Sequence, residues 1–167
     1  DPPVTLSATA SSGLPVTFTS SNTAIATLSG NILTANSTGT AEITAMQIGN
    51  GTYAPARYMR ILTVNKADQT ITFPEPGTKV FGDPDFNPAA TASSGLPVSY
   101  SSDNLSVATI SGSNIHITGS GTAAITASQE GNNLYYSAID IAVTLTVSKA
   151  DQTITFGAPG PVTYGDP

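Results

Sequence analysis

The run Lys66-Ala67-Asp68-Gln69-Thr70-Ile71-Thr72-Phe73 returns unchanged as Lys149-Ala150-Asp151-Gln152-Thr153-Ile154-Thr155-Phe156, 83 residues later. A second pair, Ala10-Ser11-Ser12-Gly13-Leu14-Pro15-Val16 and Ala92-Ser93-Ser94-Gly95-Leu96-Pro97-Val98, is offset by 82. The chain is therefore a tandem array whose copies differ by one residue, just after Ala56 and Ala138. It opens on Asp1-Pro2 and closes on Gly165-Asp166-Pro167, the phase also held by Gly82-Asp83-Pro84, and so reads as a two-repeat window on something longer. A period near 83 places each unit at the lower end of independently folding size, so each must build a small core of its own.

No cysteine is present, which removes disulfides, thiolate metal sites and cysteine nucleophiles as options. Packing has to supply the stability. Only 10% of residues are charged and 39% are apolar, a balance too apolar and too regular for disorder. A net charge of -6 with five basic residues leaves no cationic field for nucleic acid or for an anionic membrane surface. No stretch approaches the apolar length of a membrane-spanning helix.

Apolar and polar residues alternate through much of the sequence. In Ile139-Asp140-Ile141-Ala142-Val143-Thr144-Leu145-Thr146-Val147 every odd position is β-branched or Leu, which predicts a half-buried strand with those positions inward. Val98 and Tyr100, Ile115 and Ile117, then Ala123, Ile125 and Ala127 extend the inward set in the second copy. Val16 and Phe18, Leu33 and Ala35, then Ala41, Ile43 and Ala45 are their counterparts in the first. Gly and Asn punctuate these runs at Ser29-Gly30-Asn31, Gly49-Asn50-Gly51, Gly119-Ser120-Gly121 and Gly131-Asn132-Asn133, where tight turns call for positive φ. The fold class expected is all-β, with tandem antiparallel sandwiches of seven or eight strands in an extended array.

Val64-Asn65-Lys66-Ala67-Asp68 joins one unit to the next without Gly or Pro, which predicts a short, stiff linker. On this reading residues 67–149 are one complete repeat. Residues 1–66 are a repeat without its first strands, and residues 150–167 are the opening strands of another. Such a truncation predicts exposed sheet edges and apolar surface.

Two stretches carry a resemblance. Val98-Ser99-Tyr100-Ser101-Ser102-Asp103-Asn104-Leu105-Ser106-Val107-Ala108-Thr109-Ile110-Ser111-Gly112, followed by Gly119-Ser120-Gly121-Thr122-Ala123-Ala124-Ile125-Thr126-Ala127, resembles bacterial Ig-like domains of group 2. The first copy shows the same features from Thr19 to Gly30 and from Gly39 to Ala45. The "KADQTITF", "YGDP" and "GN-x-x-Y-x-x-A" elements are similar to the mostly-bacterial Ig-like repeats of large surface adhesins, particularly those of Bacteroidota. The resemblance implies a secreted protein of the bacterial cell surface whose modules serve as stalk, spacer or adhesive surface.

Few residues offer chemistry. His116 is the only histidine and falls on the outward phase of its strand, where the first copy has Thr34; it reads as a surface residue rather than a zinc ligand or triad member. Asp83 and Asp85 could offer oxygens to calcium, but the first copy reads Asp1-Pro2-Pro3, and calcium takes about six to eight oxygens. A plain turn is the competing reading. Lys79 aligns with Val162 and Glu42 with Ala124, so a Lys-based isopeptide pair does not recur between copies. Lys66 and Lys149 beside Asp68 and Asp151 read as solvated junction charges. Tyr53 and Tyr135 recur and suggest a structural corner near Tyr58. Tyr136, with Ala54 as its counterpart, is the better candidate for an exposed ring that could bind a ligand. Asn36, Asn50 and Asn104 head glycosylation sequons that matter only in a eukaryotic secretory pathway.

The sequence thus predicts no enzyme, no cofactor and no resident metal. It predicts a structural segment whose partners are neighbouring repeats, with surface glycans or proteins as further ligands if the repeats themselves adhere. A third expectation is polymerisation by donor-strand exchange, in which the opening strands of one subunit complete the first repeat of another.

Overall fold

The computed structural model describes residues 2–162 and 164–165. Asp1, Asp166 and Pro167, which set the phase of the two ends, lie outside the described residues, as does Thr163. The described residues form no helix. Their strands are β1 (Val4–Thr5), β2 (Thr17–Ser20), β3 (Ala26–Ser29), β4 (Ile32–Ala35), β5 (Gly39–Gln47), β6 (Ala56–Val64), β7 (Ile71–Thr72), β8 (Thr78–Val80), β9 (Thr91–Ala92), β10 (Ser99–Ser102), β11 (Ala108–Ser111), β12 (Asn114–Ile117), β13 (Gly121–Ser128) and β14 (Ile141–Ser148). The protein is all-β, as its period-2 alternation and Gly-Asn turns dictate.

The chain divides into two compact units. One comprises Asp1–Thr72, Ala90–Val98 and Ser128–Ile141. It holds the three-stranded sheets β1-β4-β3 and β2-β5-β6 and the short pair β7-β9. Its longest ladder is antiparallel, with Gly39 opposite Val64 and Gln47 opposite Ala56. Ala26, Leu33 and Ala41 are buried, while Phe18, Ile43, Leu62 and Val64 are only half-buried.

The other unit comprises Phe73–Ala89, Ser99–Ala127 and Ala142–Pro167. It contains the hairpin β11-β12 and most of the sheet β10-β13-β14-β8. Val107, Ala108, Ile115 and Ile117 from the hairpin meet Ala123, Ile125, Val143, Leu145 and Val147 from the sheet in one buried cluster, with Phe73, Phe86, Tyr100 and Ile110 packed around it. Two apolar faces closing on each other is how a small β-protein buries enough surface without disulfides.

Two details depart from the expected pattern. The sheets are not wholly antiparallel: β8 runs parallel to β14, with Thr78 beside Thr146 and Val80 beside Ser148. Sixty or more residues separate the two strands, so nothing forces the hairpin-type reversal that a short connection would impose. Ile139, expected inward, is 84% exposed. The Ala138 N–H donates back to the Gln129 carbonyl at 2.9 Å, so the chain is still closing a loop at Ile139 and enters the sheet only at Ile141.

Candidate functional site

The recurring Gly-Asn element is a built loop. Gly131 has φ +79°, and a Cβ there would lie 2.4 Å from the Tyr135 carbonyl oxygen, so only glycine fits. The Asn132 side-chain oxygen accepts the N–H groups of Leu134 at 2.8 Å and Tyr135 at 3.0 Å, and the Asn132 N–H donates to the Tyr135 carbonyl at 3.1 Å. The first copy repeats this pattern: Asn50 accepts from Thr52 at 2.8 Å and Tyr53 at 2.9 Å. The second copy's loop also grips the linker. Ala67 N–H donates to the Leu134 carbonyl at 2.8 Å, and Tyr136 N–H donates to the Ala67 carbonyl at 2.9 Å. Thr38 Oγ1 donates to the Asn133 carbonyl at 2.7 Å.

Beside this loop lies a polar cluster that the sequence did not single out. Gln69 is 7% exposed. Its Nε2 donates to Gln129 Oε1 at 2.9 Å and to the Tyr136 carbonyl at 2.7 Å, and its Oε1 accepts from Ser94 Oγ. A buried amide with every arm engaged locks position more than it adds net stability. The signal was available: a long polar residue kept in both copies of an otherwise alternating strand.

Among the candidate residues, Tyr136 is exposed, with Lys66 Nζ 6.0 Å from its ring centroid. Tyr53 is equally exposed and Tyr135 half-buried, so the recurring tyrosines are not equivalent in burial. His116 Nδ1 lies 2.7 Å from Asp85 Oδ1, with both side chains about half exposed. Asp83 Oδ2 accepts the Val80 N–H at 2.9 Å, so the two aspartates face different partners. No group of three or more His, Asp or Glu that could share a metal ion occurs among the described residues. Lys79 Nζ sits 4.3 Å from the Phe86 ring centroid. The sequon amides of Asn36 and Asn104 donate to the carbonyls of Thr23 and Thr122.

The largest concave feature of the first unit is an open groove of about 520 Å³, with Leu6, Phe18, Leu33, Ile43, Tyr58 and Leu62 among its lining residues. Its walls are mainly apolar, and Arg60 supplies a cation 5.5 Å from the Tyr58 ring centroid. One long edge is the β6 strand, which pairs only with β5. A half-buried apolar channel beside an unpaired strand edge offers both side-chain pockets and main-chain hydrogen bonds to an extended peptide.

No protein-family model and no curated protein matches the chain. Among solved structures, it is similar to domains 1–6 of the surface layer protein SbsC, at 17% identity and TM-score 0.42, covering 82% of this chain and 20% of that one. It is also similar to domains 4 and 5 of the S-layer protein SbsC, at 20% identity and TM-score 0.38, covering 86% of this chain and 82% of that one. The chain thus spans a fifth of the length of the first of these structures.

Proposed function

We propose that this chain is a non-catalytic structural segment of a bacterial cell-surface protein, a stiff spacer built from Ig-like repeats. The repeat units are residues 1–66 and 67–149, with 150–167 opening another. The observation that carries this reading is the held junction. Ala67, the residue that begins the second repeat, is bonded through both its N–H and its carbonyl to the Leu134–Tyr136 loop, and Thr38 of the first repeat reaches the same loop at Asn133. A linker fixed at both backbone groups transmits orientation from one module to the next rather than acting as a free hinge.

The chemistry-bearing residues support the same view. The single histidine is engaged with one carboxylate at the surface, and the buried polar groups bond one another. An adhesive role for the repeats themselves is the second reading, supported by the exposed Tyr136 ring with Lys66 beside it.

Antibody raised to this chain should label intact, unpermeabilised cells, and the denatured native polypeptide it detects should be far heavier than 16.9 kDa. Labelling that requires permeabilisation overturns the surface assignment. A Tyr136→Ala variant that loses binding to host glycans or proteins would favour adhesion over spacing.

A further inference from the structure

We propose that residues 150–162 of one copy of this chain dock in the groove of the first repeat of a second copy, joining chains head to tail by strand addition. This assembly rests on the structural reading above and names its partner. The chain itself shows how such a groove is filled. In the second repeat, Ile71 is buried and pairs with Ala92, Phe73 packs on the Tyr100 ring at 5.8 Å, and β8 lies along the edge of β14. The corresponding edge in the first repeat is β6, which has no strand on that side, and Phe18 stands where Tyr100 does.

The filling segment exists twice. Residues 149–156 repeat residues 66–73 without a change, but here they are extended and uncovered: Ile154 is 92%, Phe156 83% and Val162 92% exposed. An apolar strand left in water beside a molecule with an open apolar groove is a template for addition.

The receiving groups match one by one. Gln69 bonds Gln129, Ser94 and the Tyr136 carbonyl, and the first repeat carries Gln47, Ser12 and the Ala54 carbonyl at those positions for Gln152. Ser93 N–H donates to the Thr70 carbonyl, and Ser11 stands ready for Thr153.

The one residue that looks hostile to a strand is Pro161, at the position of Thr78. Phe81 N–H donates to the Ser148 carbonyl at 2.9 Å, and in a parallel ladder only alternate residues bond to a given neighbour. Lys79 and Phe81 therefore carry the ladder and the Thr78 N–H points away. Pro161 removes no needed donor, and Val162 takes the place of Lys79 beside Val64. Charge also agrees, since residues 150–162 carry only Asp151 while β6 carries Arg57 and Arg60.

Donor and groove lie on different parts of the chain, so the contact is heterologous and does not close on a two-fold axis. It leaves one free groove and one free strand on every dimer.

Sedimentation of the 167-residue chain over a wide concentration range tests this. The expected result is a mass that climbs past 16.9 kDa in whole multiples, with Phe156→Asp/Val162→Asp staying monomeric. That double variant should keep its β-sheet circular dichroism, because both side chains are exposed in the monomer. A chain that is monomeric throughout overturns the proposal, as does association that the double variant leaves unchanged. Register has its own check, because the chain contains no cysteine. Val64→Cys and Val162→Cys chains, mixed and oxidised, should give mainly the mixed disulfide, and a statistical mixture of pairings overturns the alignment. Cell-surface labelling and native polypeptide mass test the spacer reading separately, so the two can fail independently.

Discussion

Leu145 and Leu62 occupy the same point of the repeat, on the last strand of each copy, yet Leu145 is wholly buried and Leu62 only half-buried. The same holds for Ile125 against Ile43 and Ala127 against Ala45. Local sequence is nearly equal in these pairs, so propensity does not explain the difference. What differs is cover: the second copy has Phe73 and Phe86 packed on its cluster and β8 beside β14, while the first has an open groove along β6. Alternation decides which face of a strand is apolar. A segment distant in sequence decides whether that face becomes a core.

The largest expected effect breaks the comparison most directly. Leu145→Ala removes a side chain with no exposure and should cost about 2–5 kcal/mol in urea unfolding. Leu62→Ala, measured at a concentration where the chain is monomeric, should cost distinctly less, because water already reaches one side of it. Equal losses would mean that the groove is closed in solution.

Next in size is the buried amide. Gln69→Ala strands the Gln129 side chain and the Tyr136 carbonyl, at about 1–3 kcal/mol of thermal stability. Gln152→Ala, the same residue one repeat on, lies on an exposed segment and should leave the melting temperature of the monomer unchanged. A matching loss from Gln152→Ala would show that its side chain is engaged as Gln69 is.

The Gly-Asn loop gives the case where the copies agree. Gly131→Ala and Gly49→Ala each place a side chain at positive φ and against a backbone carbonyl, 2.4 Å and 2.5 Å away. Each should lose at least the roughly 1–2 kcal/mol of the left-handed conformation itself. Similar losses would confine the difference between copies to their cores, whereas unequal ones would extend it to the loops.

These cases also mark what was legible in the sequence. The all-β class, the inward residues of β12, β13 and β14, and the Gly-Asn loops could be read directly, because each is set by neighbours within a few residues. The exposed edge and apolar surface of the first copy could be read from the phase of the repeat. The parallel pairing of β8 with β14 could not, since pairing across such a separation depends on topology rather than on local pattern. Ile139 fails for a related reason: its alternation continues past the point where the Ala138-to-Gln129 bond closes the loop. Gln69 looked like one letter of a repeated word, and its role emerged only when Ser94 and Gln129, 25 and 60 residues away, converged on it.

The smallest effect concerns the pair that belongs to the second copy alone. His116 and Asp85 have Thr34 and Pro3 as counterparts, so this contact is a rival explanation for why one copy closes and the other does not. Both side chains are about half exposed, and an ion pair in that setting is worth under about 1 kcal/mol and is weakened by salt. His116→Ala should therefore shift the urea midpoint slightly, and less at high ionic strength than at low. Strand β8 and Phe73 would then remain as the cause of closure, since an apolar cover is indifferent to screening. A loss from His116→Ala comparable to that from Leu145→Ala would reverse the assignment and make the surface pair, rather than the added strand, the element that holds the second core shut.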